Sequence, residues 1–316
     1  MPADPDDRLS FRFLGLDFQP LTLAHRPLLE PIFQRHPQPL AGFSFASLAC
    51  WSGTYRYAFH ADEGRGCLLL AATLPEDLQT HLLQPVGPLD DGALKQLAEA
   101  ARALPYPLKL LGCGQAFIDA HPRFAAAFDA DASRDQANYI YGAADLAELA
   151  GKRFSKKRNL IAQARKAYSW QAGDLVQEHM PECAQLVRRI ADEDHAQGRD
   201  SSWRREMDAL GFALEHFGEL GQRGTGIWVD GALTAFALWE PLDSNMAIVH
   251  FERALRRFKG LYQVVNQETA RVIRREGFSL INREEDVGSP GLRQAKESYF
   301  PLRLQPSITL TLNQTP

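Results

Sequence analysis

The chain has 316 residues, enough for two domains of roughly 150 residues each, and its 45% hydrophobic and 23% charged residues can bury a sizeable core. A formal net charge of -4 excludes a globally basic nucleic-acid binder and leaves room only for a local basic patch. The four cysteines, Cys50, Cys67, Cys113 and Cys183, form no CxxC pair, which excludes zinc spacing and a dense disulfide framework and predicts reduced, buried thiols in a cytoplasmic protein. No apolar run approaches the roughly 18 residues that span a bilayer, and MPADPDDRLS has no apolar core of a secretion signal, so no integral membrane segment is expected.

In chain order, residues up to Pro39 are proline-rich, with a turn over 20–26 and a short helix over 27–35. FSFASLACW, residues 43–51, is a dense aromatic cluster that reads as core. Alternation over 55–60 predicts a strand, the apolar run 66–73 a buried strand, and 81–86 a third. A helix over 91–104, a short strand over 108–111, a helix over 115–128 and a strand over 136–141 complete a β-β-β-α-β-α-β half. The second half opens with a basic helix over 155–168, followed by a strand over 170–179. An amphipathic helix over 180–197 carries Cys183, Leu186, Val187 and Ile190 on one face, and another helix spans 203–217. Strands over 225–229 and 232–239 flank the hairpin signal Asp230-Gly231, and a third lies over 245–252. The loop RRFKG leads into a helix over 261–276 ended by Gly277, and a strand over 278–282 follows. The similar order in both halves predicts two domains, 1–150 and 151–316, the second opened by the basic helix.

Four constellations carry chemistry. Arg256, Arg257, Phe258, Lys259, Gly260 and Tyr262 stand at a helix N-terminus, whose free N–H groups and positive dipole end suit a phosphate. Arg257 and Gly260 fit the Gln/Arg-x-x-Gly-x-Gly/Ala pattern of GNAT acyltransferases, while Tyr262 departs from its last position; a tight strand-to-helix turn is the plain alternative. NREEDVGSPGLRQAKESYFP, residues 282–301, follows a buried strand, where open α/β folds place their sites. Glu284, Glu285 and Asp286 suit an amine acceptor as its anionic partner and its base. Arg293, Lys296 and Tyr299 share roughly one helix face and suit an oxyanion or acceptor. A surface ion-pair network is the alternative. In VHFERA, residues 249–254, alternation sets His250 and Glu252 on one face, Glu252 as a base and His250 as its helper, or both as structural residues. GKRFSKKRNLIAQARKAY, residues 151–168, holds Lys152, Arg153, Lys156, Lys157, Arg158, Arg165 and Lys166 and no acid. It reads as a phosphate or nucleic-acid contact such as a tRNA acceptor arm, or as a solvated face, with Arg158 and Asn159 alternatively tying the helix to the sheet.

YIY (139–141), GKRFSKKRN (151–159), VHFERA, GLYQVVNQE (260–268) and NREEDVG-GLRQAKESYFP resemble a family of soluble bacterial proteins similar to the C-terminal domain of phosphatidylglycerol lysyltransferases. FSFASLACW matches its N-terminal part, so the resemblance covers about residues 40–302. It implies an α/β (α+β) fold of two GNAT-like acyltransferase domains in tandem, with mixed central sheets flanked by helices, as in Fem-type aminoacyltransferases. Members of known activity take an aminoacyl group from aminoacyl-tRNA and place it on a lipid or peptidoglycan precursor. For this chain that implies aminoacyl transfer to an amine or hydroxyl acceptor (a small molecule, peptide or lipid headgroup), with no metal and no tightly held cofactor. An acyl-coenzyme A N-acyltransferase and a non-catalytic binding module on the same fold are the alternatives. The expected catalytic set is Glu252, Glu284, Glu285, Asp286 and Tyr299. The expected substrate set is His250, Arg256, Arg257, Lys259, Gly260, Tyr262, Asn266, Asn282, Arg283, Arg293 and Lys296, and the expected tRNA set Lys152, Lys156, Lys157, Arg158 and Asn159. Two positions differ from the family pattern: Gln263 stands where the lysyltransferases carry an acid, and Arg253 where the strand motif carries Lys.

Overall fold

The structure, a computed structural model, describes residues 9–62, 64–193 and 201–313. In chain order its strands and helices are β1 (Phe11–Phe13), β2 (Leu16–Pro20), α1 (Arg26–Arg35), α2 (Phe45–Tyr55), β3 (Ala58–Asp62), β4 (Cys67–Thr73), β5 (Thr80–Leu83), α3 (Asp91–Ala101), β6 (Lys109–Cys113), α4 (Gln115–Ala120), α5 (Pro122–Ala125) and β7 (Phe128–Asp131). They continue with β8 (Asn138–Gly142), α6 (Ala143–Glu148), α7 (Ser155–Ala167), β9 (Gln171–Asp174), α8 (Met180–Glu193), α9 (Ser201–Glu215), β10 (Arg223–Val229), β11 (Ala232–Pro241), β12 (Met246–Ala254), α10 (Leu261–Arg275), β13 (Leu280–Asn282), α11 (Pro290–Glu297), β14 (Arg303–Gln305) and β15 (Ile308–Leu312).

Two compact units result, one built from the chain up to Ala137 and from Gln305 onward, the other from Asn138–Leu304. The first unit's sheet has the order β1-β2-β3-β4-β5-β6-β15-β7, the second's the order β14-β8-β13-β12-β11-β10-β9. Both follow one plan. In each, three antiparallel strands (β3–β5, β10–β12) lead through a helix (α3, α10) to a parallel fourth (β6, β13). A parallel pair needs such a crossover. A strand from a distant stretch then adds antiparallel to the fourth, β15 in the first unit and β8 in the second. This repeated plan is the tandem GNAT-like architecture. It also explains why the units divide at 137/138 rather than 150/151: Tyr141 of β8 pairs with Ile281, so β8 belongs to the second sheet.

Local signals shape the site-bearing unit. Asp230 and Gly231 both take left-handed φ, +52° and +77°, the backbone of the tight hairpin joining β10 to β11. α10 buries Leu261, Val264, Val265, Ala270 and Ile273, each stabilising by roughly 1.5–3 kcal/mol if large and apolar. The helix stops at Gly277, φ +98°, where Gly277 N–H donates to the Arg274 carbonyl (3.0 Å) and Phe278 N–H to the Ile273 carbonyl (3.3 Å).

Other expectations differ in detail. FSFASLACW is mostly helix α2, capped by the Ser44 hydroxyl on the Ser47 N–H (3.1 Å), and Arg56 ends it in the left-handed region. The helix expected over 115–128 breaks at His121, because a residue before proline avoids helical ψ, and the chain then enters β7. Residues 194–197 of the expected 180–197 helix lie outside the described residues. All four cysteines are free and buried. No helix among the described residues is long and apolar enough to cross a membrane.

Candidate functional site

In the second unit, a bulge in β12 decides how its polar side chains are grouped. β11 and β12 shift register between Leu238 and Trp239, which pair with Phe251 and Val249, so His250 has no cross-strand partner. An inserted residue re-aims side chains. His250, with 4% of its side chain exposed, sets Nε2 2.8 Å from Glu240 Oε1 and Nδ1 2.8 Å from Glu284 Oε1. Burial alone lowers its pKa, but the two carboxylates outweigh that and carry it up to about 10, so the ring is an imidazolium clamping both acids. Glu252 joins a different cluster: its Oε2 accepts from Asn266 Nδ2 (3.1 Å) and its Oε1 from Arg283 Nη2 (3.2 Å). The expected His250–Glu252 partnership is therefore corrected; the bulge splits it.

The loop after β13 is held from within. Glu284 and Val287 take left-handed φ, +57° and +46°, a backbone state costing about 1–3 kcal/mol for a residue with a side chain. Several bonds fix it. Glu284 N–H donates to Asn282 Oδ1 (2.8 Å), and Asn282 Nδ2 donates to Asn138 Oδ1 (2.9 Å). The fully buried Asp286 accepts from Arg293 Nε (2.9 Å) and Nη2 (2.8 Å), the Tyr139 hydroxyl (2.6 Å) and Gly288 N–H (3.0 Å). Arg293 first, then Tyr139 and Gly288, hold the Asp286 pKa well below the usual carboxylate range despite its burial. Lys296 is 7% exposed and donates to the Arg283 carbonyl (2.6 Å) and to the Glu285 carbonyl; burial brings its pKa down to about 8. The Glu285 carboxylate accepts from Asn138 Nδ2 (3.2 Å), and burial, then Glu284, push it up to about 7. Glu284, Asp286, Asn282, Arg293 and Lys296 thus make hydrogen bonds that shape this loop and tie it to its neighbours.

The remaining candidates meet around Glu252. The Arg283 guanidinium lies 5.8 Å from the Tyr141 ring centre and 5.2 Å from that of the buried Tyr299. Lys157 Nζ sits 3.8 Å from the Tyr299 ring centre and donates to Ser298 Oγ (2.6 Å). The Tyr299 hydroxyl is hydrogen-bonded to Gln263, and burial pushes the Tyr141 and Tyr299 phenols above their ordinary range. Burial, then Arg283, bring the Lys157 amine down to about 8 against the opposing pull of Glu252. Arg283 also feels burial, yet Glu252, Tyr141 and Tyr299 together more than compensate and keep it charged. Two buried atoms, Arg283 Nη1 and Asn266 Oδ1, meet no hydrogen-bond partner among the described residues. Each such atom costs about 1–3 kcal/mol, and folded proteins leave few of them. They belong to the two residues whose other nitrogens grip Glu252. The cluster thus holds one carboxylate, two cations, one buried acceptor and one buried donor without a hydrogen-bond partner among the described residues.

The RRFKG turn has a packing explanation. Gly260 has φ +86°, and a Cβ there would come 2.5 Å from the Leu160 carbonyl of α7. Arg256 and Lys259 are exposed, Arg256 N–H donates to Glu193 (2.8 Å), Arg257 lies 5.2 Å from the Phe258 ring centre, and the Lys259 carbonyl accepts from the Tyr168 hydroxyl (3.1 Å). The Tyr262 hydroxyl bonds the Ala254 backbone, and burial raises its pKa. In the basic segment Lys152, Lys156 and Asn159 are exposed. Arg158 donates to the carbonyls of Leu149 and Gly151 and ties down the loop before α7, while Lys157 turns to Tyr299 and Ser298. Sequence reasoning missed Glu240, although a lone carboxylate ending the apolar strand ALTAFALWEP needs a partner. Among the described residues, no group of three or more His, Cys, Asp or Glu side chains is arranged to hold a metal ion.

The family model described as "Phosphatidylglycerol lysyltransferase, C-terminal" matches residues 34–310. A solved conserved protein of unknown function from Bacteroides thetaiotaomicron VPI-5482 superposes with a TM-score of 0.86 at 29% identity, covering 94% of this chain and 99% of that one. L-PGS from Bacillus licheniformis gives 0.61 at 15% identity over 92% of each chain, and FemX 0.61 at 13% identity over 95% of this chain and 98% of its own. The last two are likenesses of fold. No curated protein matches the sequence.

Proposed function

Since this chain belongs to the phosphatidylglycerol lysyltransferase C-terminal family, which is of the acyltransferase kind, we propose that its second unit moves an aminoacyl group from aminoacyl-tRNA to an amine or hydroxyl acceptor. The observation that carries this is the pair of unpartnered buried atoms beside Glu252, Asn266 Oδ1 and Arg283 Nη1. An aminoacyl ester presents an ammonium and, one carbon away, a carbonyl. Glu252 and Asn266 Oδ1 receive the ammonium, helped by the negative ring faces of Tyr141 and Tyr299. Arg283 Nη1 donates to the carbonyl oxygen and to the oxyanion that forms when the acceptor attacks, a contact of the kind worth about 10²–10³ in rate. The exposed Lys152 and Lys156 meet the tRNA backbone, which fixes register without reading sequence. Packing against Leu160 gives Gly260 a structural reason, so the glycine does not by itself favour the coenzyme A alternative.

The test is filter binding to total tRNA, aminoacylated and uncharged, across a salt series. Aminoacylated tRNA binds more tightly, Glu252→Gln removes that preference, and Lys152→Ala with Lys156→Ala flattens the salt dependence. Equal binding of charged and uncharged tRNA, or none at low salt, sinks the reading.

A further inference from the structure

Lys157 lies in a run of surface cations, but its surroundings set it apart. Lys152, Lys156 and Arg158 are exposed, whereas Lys157 is half-buried between Ser298 and the Tyr299 ring and forms no ion pair among the described residues. The Ser298 hydroxyl spends its own proton on the Ala295 carbonyl (2.5 Å), so toward Lys157 it acts as an acceptor. That contact consumes one N–H of the amine. In the neutral amine it leaves the lone pair free. Of the other groups around Lys157, Glu252 accepts from Arg283 and Asn266, Arg283 stays charged, and the Tyr141 and Tyr299 phenols lie above their ordinary range.

We infer that Lys157 is the general base of the transfer, an assignment that rests on the aminoacyl reading of this cluster. Neutral Lys157 Nζ takes the proton from the acceptor amine or hydroxyl as that atom bonds to the acyl carbon. The ammonium so formed passes the proton to the ribose oxygen of the tRNA as the ester C–O bond breaks. The ester is exchanged for an amide or a new ester, and Lys157 returns to its neutral form. Burial and the neighbouring Arg283 prepare it for this by bringing the amine down to about 8, so roughly a tenth is neutral at pH 7 and most of it above 8. A base whose pKa lies near the working pH combines availability with driving force.

The experiment is the pH dependence of kcat/KM for transfer from labelled aminoacyl-tRNA, with thermal midpoints recorded alongside. The native protein shows a limb rising with pH that levels above about 8. Lys157→Gln and Lys157→Arg lower the rate by about 10²–10⁴ and lose that limb at unchanged midpoints. Arginine keeps the positive charge over Tyr299 but cannot give up its proton, so it separates a base from a positioning cation. A Lys157→Arg protein with the native rate and limb overturns the assignment alone. A native protein that moves no aminoacyl group overturns the donor reading and the base with it.

Discussion

Replacing Asp286 with asparagine separates a structural anchor from a catalytic acid. The native carboxylate is fully buried and accepts four hydrogen bonds, two from Arg293 and one each from Tyr139 and Gly288. Asn keeps the shape but removes the charge and turns an N–H₂ toward Arg293 or Tyr139. Breaking a buried pair costs about 3–5 kcal/mol. The lower end applies here, because 32% of the Arg293 side chain remains in water to resolvate the guanidinium. About 3 kcal/mol in a unit of this size lowers the thermal midpoint by about 6–12 °C. The pH sign follows from the depressed pKa. The stabilisation is present above the unfolded pKa of about 3.9 and is lost as pH falls through the still lower folded value. Asp286→Asn should therefore flatten the acid limb of stability. Circular dichroism melts across pH measure both quantities. Transfer assayed well below the lowered midpoint should persist in the variant. A variant as stable as the native protein, or one that is folded yet inactive, refutes the anchor assignment.

Further outcomes follow from the same geometry. His250 has a folded pKa raised to about 10, so its contribution to stability is fully present below about 6.5 and is lost as pH rises through about 10. His250→Gln should flatten stability over that window in urea titrations, and an unchanged slope would show that the two carboxylates do not hold a charged ring. Glu285 is pushed up to about 7, so the fold loses stability as pH rises from the ordinary carboxylate value of about 4.3 through about 7; Glu285→Gln should raise the midpoint most at pH 8 and least at pH 4. Gly260→Ala places a Cβ 2.5 Å from the Leu160 carbonyl at φ +86° and should cost about 1–3 kcal/mol in denaturant unfolding; a neutral effect would mean that α7 and the start of α10 are not tightly packed.

Much of the second unit was legible because local chemistry decides it. Asp230-Gly231 can form a tight hairpin in few other ways, Gly277 caps α10, and the spacing of Leu261, Val264, Val265 and Ile273 marks that helix's buried face. α2 was harder because FASLACWSGTY is apolar nearly all round and shows no helical stripe. β15 and the place of β8 were hidden because each strand joins a sheet through partners far away in sequence. At the site, residue types were legible and their grouping was not. Alternation put His250 beside Glu252, and one bulge sent them to different partners. The run Arg283-Glu284-Glu285-Asp286 looked like a single acidic patch, but left-handed backbone at Glu284 and the clamps from Arg293 and Lys296 turn neighbouring residues to separate tasks. Lys157 looked like one more surface cation, since nothing in its neighbours announces that Tyr299 and Ser298 enclose it.

The most direct test of the account follows the fate of the acyl group. Total tRNA charged with labelled amino acids is incubated with the protein and an extract of bacterial small molecules and lipids as acceptor source. With the native protein the label leaves the tRNA and is recovered in a new product. Arg283→Lys, which removes the open Nη1 donor and keeps the charge, slows this by about 10²–10³. Label that stays on the tRNA with the native protein, or leaves equally fast with Arg283→Lys, contradicts the claim that this cluster transfers an aminoacyl group.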